Sequence, residues 1–359
     1  MARFLQFHLL TSYGPSNPNR DDQGRPKQAV VGSVPRLRMS SQSIKRALRE
    51  STYFESQLRG NLGTRTKRLH EKLMGLLTSE GHPAQDAKDA ADTVAVVFGK
   101  LEKTGKGEDA KTHATTLAFI SPEEWALAED LARKAIAKEA LPKDKDLKKM
   151  VLRHADGAVD IAMFGRMLAD DPDFNRNAAV QVAHAITTHA ALVEDDWFSA
   201  VDDLNKADDT TGAGHLGETG FGSGVYYQYV CVNLALLVDN LGGDHALAAR
   251  GVETLARALP MVTPGGKQNS FAHHPRAFYV LAETGDQAPR DLSGAFFEPV
   301  RQTPYPAKSV EVLEKTRADM DKAYGPCWTE QAKMHVGHDG TLDDIVSFAG
   351  RTVQALVQE

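Results

Sequence analysis

The clearest chemistry in the chain lies in one short stretch, SSQSIKRALRES (Ser40–Ser51). At about 100° of rotation per residue, a helix here gathers Gln42, Lys45, Arg46 and Arg49 on one side and Ile44, Ala47, Leu48 and Ser51 on the other. The apolar side can bury against a sheet. The other side then presents three cations and an amide in a row, with no acid among them. Such a row matches a repeating anion, a sugar–phosphate chain, better than one small ligand. Ser40, Ser41 and Ser43 at the helix start supply hydroxyls and free N–H groups that favour an anion, with Ser40 or Ser41 as the expected N-cap. The competing reading is an ordinary solvated amphipathic face.

Other chemistry-bearing residues form weaker patterns. Asp21 and Asp22 could bind a metal or act in backbone cleavage, although acids in a basic loop more often pair with a neighbouring arginine. His184 and His189 are five apart, which suits neither face of a strand nor the i, i+4 spacing of a helical metal pair. Ser223 lacks the glycine two residues before it that a nucleophile elbow needs. No set of residues assembles a nucleophile, a base and an oxyanion site. The segment Glu194–Gly224 is acidic and glycine-rich, yet holds Trp197, Phe198 and Val201 among its acids. This fits a protruding loop with an apolar tip, able to wedge between unpaired bases or to pin the loop to its own body. Gly220, Gly222 and Gly224 match no phosphate-loop or dinucleotide pattern and are expected to act as hinges.

Composition bounds these readings. The chain has 359 residues, 42% hydrophobic and 25% charged, in the range of ordinary globular proteins. Cys231 and Cys327 cannot build a disulfide scaffold or a four-cysteine metal site. The start MARFLQFHLL has no cleavage signature, and the apolar stretch Tyr229–Val238 is too short to span a bilayer. A cytoplasmic protein without a membrane partner is expected. Net charge is −6, but Arg20–Arg68 carries +8, which leaves −14 on the rest. A basic patch on an acidic body can hold a phosphate backbone in one groove.

The elements that must position these residues read as α+β. Arg3–Thr11 alternates as a half-buried strand, with Gln6 and His8 on its polar side. A polar connector with three prolines follows, and then the cationic helix. Residues 58–160 read as a helical insertion with no part in a sheet, its faces marked by Leu69, Leu73, Leu76 and Leu77, by Ala84 to Val97, and by a helix opened at Pro122. Strand character returns at Val180–His189, Val225–Val232 and Ala277–Ala282, with a helix at Asp244–Leu259 and two more at Ser309–Tyr324 and Leu342–Val357. The order β, α, insert, β, loop, β, α, β is the ferredoxin-like plan shared by RNA-recognition folds.

Several runs in order resemble one family: GPSNPNRDD (Gly14–Asp22), PRLRMSSQSIKRALRES (Pro35–Ser51), VDIAMFGRM (Val159–Met167), AHAITTH (Ala183–His189), DWFSAVDDL (Asp196–Leu204), GSGVYYQY (Gly222–Tyr229), NLALL and GGKQNSF (Gly265–Phe271). They are similar to CasC, the backbone subunit of the type I-E CRISPR Cascade complex. The resemblance implies a non-catalytic, hand-shaped RNA-binding protein without cofactor or metal. Its RRM-like palm would comprise residues 1–57, 181–190 and 224–300, its helical fingers 58–180, its thumb loop 191–223, and its C-terminal helices 301–359. Copies would polymerise along the crRNA spacer, grip phosphates without reading sequence and present bases to target DNA. Neighbouring copies, other Cascade subunits and, indirectly, a recruited nuclease–helicase would be partners. Carried over by motif, the RNA-binding set is Arg20, Lys27, Ser40, Gln42, Lys45, Arg46, Arg49, Arg166, Met167, Lys267 and Gln268, with Trp197, Phe198, Ser199 and Val201 in the thumb. Two alternatives stand beside it. One is a related subunit that cuts RNA with Asp21 or Asp22. The other is a small-molecule α+β enzyme.

Overall fold

A computed structural model describes residues 3–104, 111–152, 157–168, 172–200 and 215–357. The elements in chain order begin β1 (Phe4–Ser16), β2 (Gln28–Val31), β3 (Val34–Met39), α1 (Ser41–Arg49), α2 (Thr52–Gln57), β4 (Thr64–Thr66), α3 (Leu69–Ser79) and α4 (Ala84–Ala95). Next come β5 (Leu101–Thr104), β6 (Lys111–Ala114), β7 (Ala118–Ile120), α5 (Pro122–Ile136), α6 (Asp144–Val151), α7 (Val159–Phe164), β8 (Val180–Val182), β9 (Ala185–Thr187) and β10 (Glu194–Ala200). The last are β11 (His215–Asn233), α8 (Leu234–Asn240), α9 (His245–Ala258), α10 (Gln268–Phe271), β12 (Ala277–Gly285), α11 (Tyr305–Tyr324), β13 (Glu330–His335) and α12 (Leu342–Gln354). Among the described residues no helix is long and apolar enough to cross a membrane.

The chain divides into two compact units. One comprises Met1–Phe54, Gln181–Asn233 and Val252–Glu359, the other Glu55–Val180 and Leu234–Gly251. The division departs from the expected one at Leu234–Gly251, which groups with the insertion rather than with the palm.

The first unit is built on an antiparallel sheet ordered β13-β12-β1-β11-β9-β3-β2, with β10 and β8 also paired to β11. β1 is an interior strand, paired with β11 from Phe4↔Asn233 and with β12 from Phe4↔Gly285. The expectation of a half-buried β1 is wrong: Gln6 and His8 are as buried as Leu5, Phe7 and Leu9. Their face carries Leu10, Tyr227, Tyr229, Tyr279 and Leu281, and it is covered by Leu292, Phe296, Val300 and Leu313 of α11. Buried polar groups need partners, and these have them. Gln6 Oε1 accepts from Tyr229 (2.7 Å) and from the Arg290 N–H (2.8 Å), and His8 Nδ1 lies 2.9 Å from the Tyr227 hydroxyl. Burial pushes the Glu283 carboxyl up, but His8, Arg290 and Arg317 outweigh it and hold it below its ordinary range.

Several strands of this unit escaped the sequence reading, among them β2, β3 and β13. β2 and β3 form a hairpin between the polar connector and α1, turning at Gly32 and Ser33 with φ of 58° and 64°. This is the left-handed pair that a two-residue hairpin needs. β13 adds an edge to β12.

His189 closes β9 against α11, stacked on Tyr305 at 4.1 Å. Its Nε2 accepts from the Val225 N–H (3.2 Å) while its Nδ1–H donates to the Ala190 carbonyl (2.9 Å), an arrangement only the neutral ring can make. Burial, opposed by the Ala190 contact, lowers its pKa. A depressed folded-state pKa gives stability that is present above the ordinary value of about 6.5 and lost as pH falls below it. Urea unfolding of the wild type should show this loss between neutral and mildly acid pH, and His189→Gln should lose less over the same interval.

The second unit is helical at its core but is not free of sheet, contrary to expectation. β4 pairs with β7 and β5 with β6. Leu69, Leu73 and Leu77 of α3, Ala87, Ala91 and Val94 of α4, and Ala128 and Leu131 of α5 share one apolar cluster. The start of α5 is held by a capping box, in which Ser121 Oγ accepts from the Glu124 N–H and Glu124 Oε2 accepts from the Ser121 N–H.

Candidate nucleic-acid interface

Three segments of the first unit meet at the start of α1. Asn17 is fully buried, and its amide donates to the carbonyls of Gly24 (3.0 Å) and Gly220 (2.9 Å). Asp21 Oδ1 accepts from the N–H groups of Gln23 (3.0 Å) and Arg25 (2.9 Å), closing a tight turn in the way short acidic side chains do. Asn19 Oδ1 accepts from the Ser40 N–H (2.7 Å), which ties this loop to α1. The third segment arrives at Gly266, whose N–H donates to the Pro18 carbonyl (3.2 Å). A Cβ there would stand 2.4 Å from that oxygen, so glycine is required for the approach.

The walls so formed enclose two hollows that share Arg20 and Gly24. One is lined by Arg20, Asp21 and Asp22, by Ser43, Arg46, Ala47 and Glu50 of α1, and by Pro264–Gly266. The other is lined by Arg20, Gln23, Arg25, Lys267 and Glu218–Gly220 of β11. The structure thus brings Arg20, Arg46 and Lys267, far apart in sequence, to one surface. Lys267 holds a left-handed backbone, φ 53°, which a residue with a side chain seldom adopts.

On α1, Ile44 and Leu48 are buried, Gln42 and Arg46 are exposed, and Lys45 and Arg49 are half-buried. The cationic row is therefore on the outer side, as the helical repeat requires. Its freedom from acid ends at the next residue, because Glu50 takes Arg46 Nε at 2.9 and 3.0 Å. Ser40 is the N-cap. It is buried, its Oγ accepts from the Ser43 N–H (3.3 Å) and its own N–H is held by Asn19, so it builds the helix end rather than offering an open contact. Gln268 likewise turns inward, its amide donating to the His273 carbonyl (3.1 Å). Lys27 lies with Arg38 beside His184. Burial first, then these two cations, lower the His184 pKa, and Arg38 donates to its Nδ1 at 2.7 Å.

Arg166 corrects the expected set most sharply. It lies in the second unit, its side chain 1% exposed, with Nη1 at 2.7 and 2.8 Å from the Glu124 oxygens and further bonds to the carbonyls of Phe119 and Leu152. A guanidinium so enclosed cannot reach a phosphate. Its neighbour Met167 is 81% exposed.

The expected thumb loop is instead a two-stranded ribbon over its described residues. β10 pairs with β11 from Glu194↔Phe221 to Ala200↔His215. Phe198 lies across Gly217, where a Cβ would stand 2.3 Å from the ring, while Trp197 is 71% exposed and Ser199 is exposed. Val201 falls outside the described residues. Gly222 and Gly224 are close-packing positions rather than hinges, since a Cβ would meet Leu37 at 2.6 Å or Thr187 at 2.8 Å.

Arg25 and Arg38 were missed by sequence reasoning. Arg25 lines the second hollow and pairs with Asp195 (2.7 Å) and Glu218 (3.6 Å) at the ribbon's root. Conversely, Arg36 is fully buried, donating to the carbonyls of Val31, Thr187 and Phe296, so the +8 segment overstates the exposed charge.

A family model described as "CT1975-like protein" matches residues 5–359. Among solved structures, a chain of "CRISPR RNA-guided surveillance complex, pre-nicking" aligns with a TM-score of 0.84 at 27% identity, covering 98% of this chain and 99% of that one. A chain of "CRISPR RNA-guided surveillance complex" aligns with a TM-score of 0.72 at 24% identity over 98% and 99% of the two chains, a likeness of fold. No curated protein matches.

Proposed function

The chain belongs to the CT1975-like protein family, of the CasC type that forms Cascade backbones, and on that premise we propose that it is the crRNA-gripping backbone subunit of a type I-E CRISPR surveillance complex. The observation that carries this reading is the convergence of Arg20, Arg46 and Lys267 on one surface beside the outward row of Gln42, Lys45 and Arg49. The strand order β12-β1-β11-β9, all antiparallel, with α1 and α9 as the crossings, supports an RRM-like palm.

In an RNA-recognition module, aromatic side chains on the open sheet face stack bases. Here Tyr227, Tyr229 and Tyr279 on that face are buried beneath the segment that runs to α11. The remaining grip is cationic and peptide-like, a contact with sugar and phosphate that leaves base edges free. A subunit that must offer its guide strand to target DNA needs this division. The exposed Trp197 on the ribbon and Met167 on the second unit are among the apolar surfaces that a displaced nucleotide or a neighbouring copy could meet. Copies would follow one another along the RNA through a heterologous contact. The protein is proposed to be non-catalytic, since the Asp21 carboxylate is engaged in its own turn.

The test is co-expression with the genes that flank it, followed by purification on a tag carried by this subunit. A short RNA of fixed length should co-purify with several copies of the chain per RNA. A complex assembled without RNA would contradict the proposal. Periodic cuts in a complementary RNA would move it to the cleaving alternative.

A further inference from the structure

We propose that Glu50 is a resident counter-anion that withholds Arg46 from ligands until a chain of linked phosphates displaces it. This deepens, and rests on, the reading of the groove as an RNA grip. Arg46 and Glu50 stand one helical turn apart, and both Glu50 oxygens lie on Arg46 Nε, at 2.9 and 3.0 Å. Both residues line the same hollow as Arg20. Glu50 follows the last helical residue, and its backbone N–H caps the Arg46 carbonyl, so the pair is anchored at both main chain and side chain.

An exposed pair of this kind is weak. A free phosphate that opens it gains one cation and leaves one carboxylate beside itself, so little is won. A strand already held at Arg20 or on the α1 row presents its next phosphate at high effective concentration, and the exchange becomes favourable. Glu50 thus selects for several linked phosphates over a single nucleotide or inorganic phosphate.

The experiment uses the full-length protein and fluorescence anisotropy with a labelled single-stranded oligouridylate over a salt series. It compares the wild type, Glu50→Gln, Arg46→Ala and the double variant. Glutamine keeps the size and the backbone cap. Removal of a like charge about 6 Å from a phosphate corresponds to roughly threefold in affinity, and release of the i, i+4 pair to about twofold more. Glu50→Gln should therefore bind about 3–6-fold more tightly. Its log–log salt slope with the oligouridylate should stay close to that of the wild type, because linked phosphates already displace Glu50 there. Uridine monophosphate, measured by competition, should gain more from Glu50→Gln than the oligouridylate does, and in the Arg46→Ala background that difference should vanish. An unchanged or weakened affinity for Glu50→Gln overturns the inference, and so does an equal difference with Arg46 absent. A wild type that binds the RNA without salt dependence would instead sink the groove reading itself.

Discussion

Replacing Arg166 with alanine should destabilise the unit that contains it by about 3–5 kcal/mol, the cost of leaving a buried charge without its partner. The partner is Glu124, fully buried in the first turn of α5. Burial pushes the Glu124 carboxyl above its ordinary range, and Arg166 is the main group pulling it back. Without Arg166 the carboxyl holds its proton more tightly. For an acid with a raised folded-state pKa, stability is present at low pH and lost as pH rises, so the deficit should deepen from mildly acid to neutral conditions. Glu124 also completes the α5 capping box, so the loss reaches the helix start. Arg166→Met combined with Glu124→Gln keeps an acceptor for the Ser121 N–H, removes both charges and should recover much of the loss. Urea unfolding at two pH values compares both variants with the wild type. An Arg166→Ala protein of full stability and weakened RNA affinity would restore Arg166 to the binding set.

The second large effect is expected on α1. Lys45→Glu with Arg49→Glu should weaken RNA binding about 100-fold at 0.1 M salt and flatten the log–log salt slope by about 1.4. Each single-strand phosphate contact contributes roughly 0.7 to that slope, so two lost contacts amount to about 25-fold at this salt, and two carboxylates facing phosphates supply the remainder. The helix itself should persist, because Ile44 and Leu48 hold it from the other side and Ser40 and Asn19 hold its start. An anisotropy titration at several salt concentrations provides both numbers. A twofold loss with an unchanged slope would show that this row faces solvent only.

What could be read in the sequence was whatever depends on local period. The α1 row, the strand β12 and the helices α9, α11 and α12 follow from spacing alone, within a few residues at their ends, whereas β11 was legible only from Val225 onward and begins ten residues earlier, at His215. What could not be read depends on pairing across distance. Nothing near Gln6 or His8 announces that Tyr229, Arg290 and Glu283 will satisfy them, so alternation pointed to an open face where the fold has a covered one. Nothing near Arg166 announces Glu124, which lies 42 residues earlier. The ribbon was hidden because its strands hold acids and glycines in place of β-branched residues, and its glycines are needed for Phe198, Leu37 and Thr187 to pack over the backbone. The β2–β3 hairpin did leave a signal, a Gly-Ser pair between valines, which the surrounding prolines and charges masked. At the interface, the cations of α1 were legible, whereas the convergence of Arg20 with Lys267, and the part played by Arg25, required the folded loop.

Ultraviolet crosslinking of the purified RNA-bound assembly, with the modified peptides identified by mass spectrometry, asks most directly where the guide strand runs. Crosslinks should fall within Asn19–Lys27, Ser41–Arg49 and Gly265–Lys267, the three segments that the fold joins around Arg20. Crosslinks confined to other surfaces, with these three segments unmodified, would contradict the account.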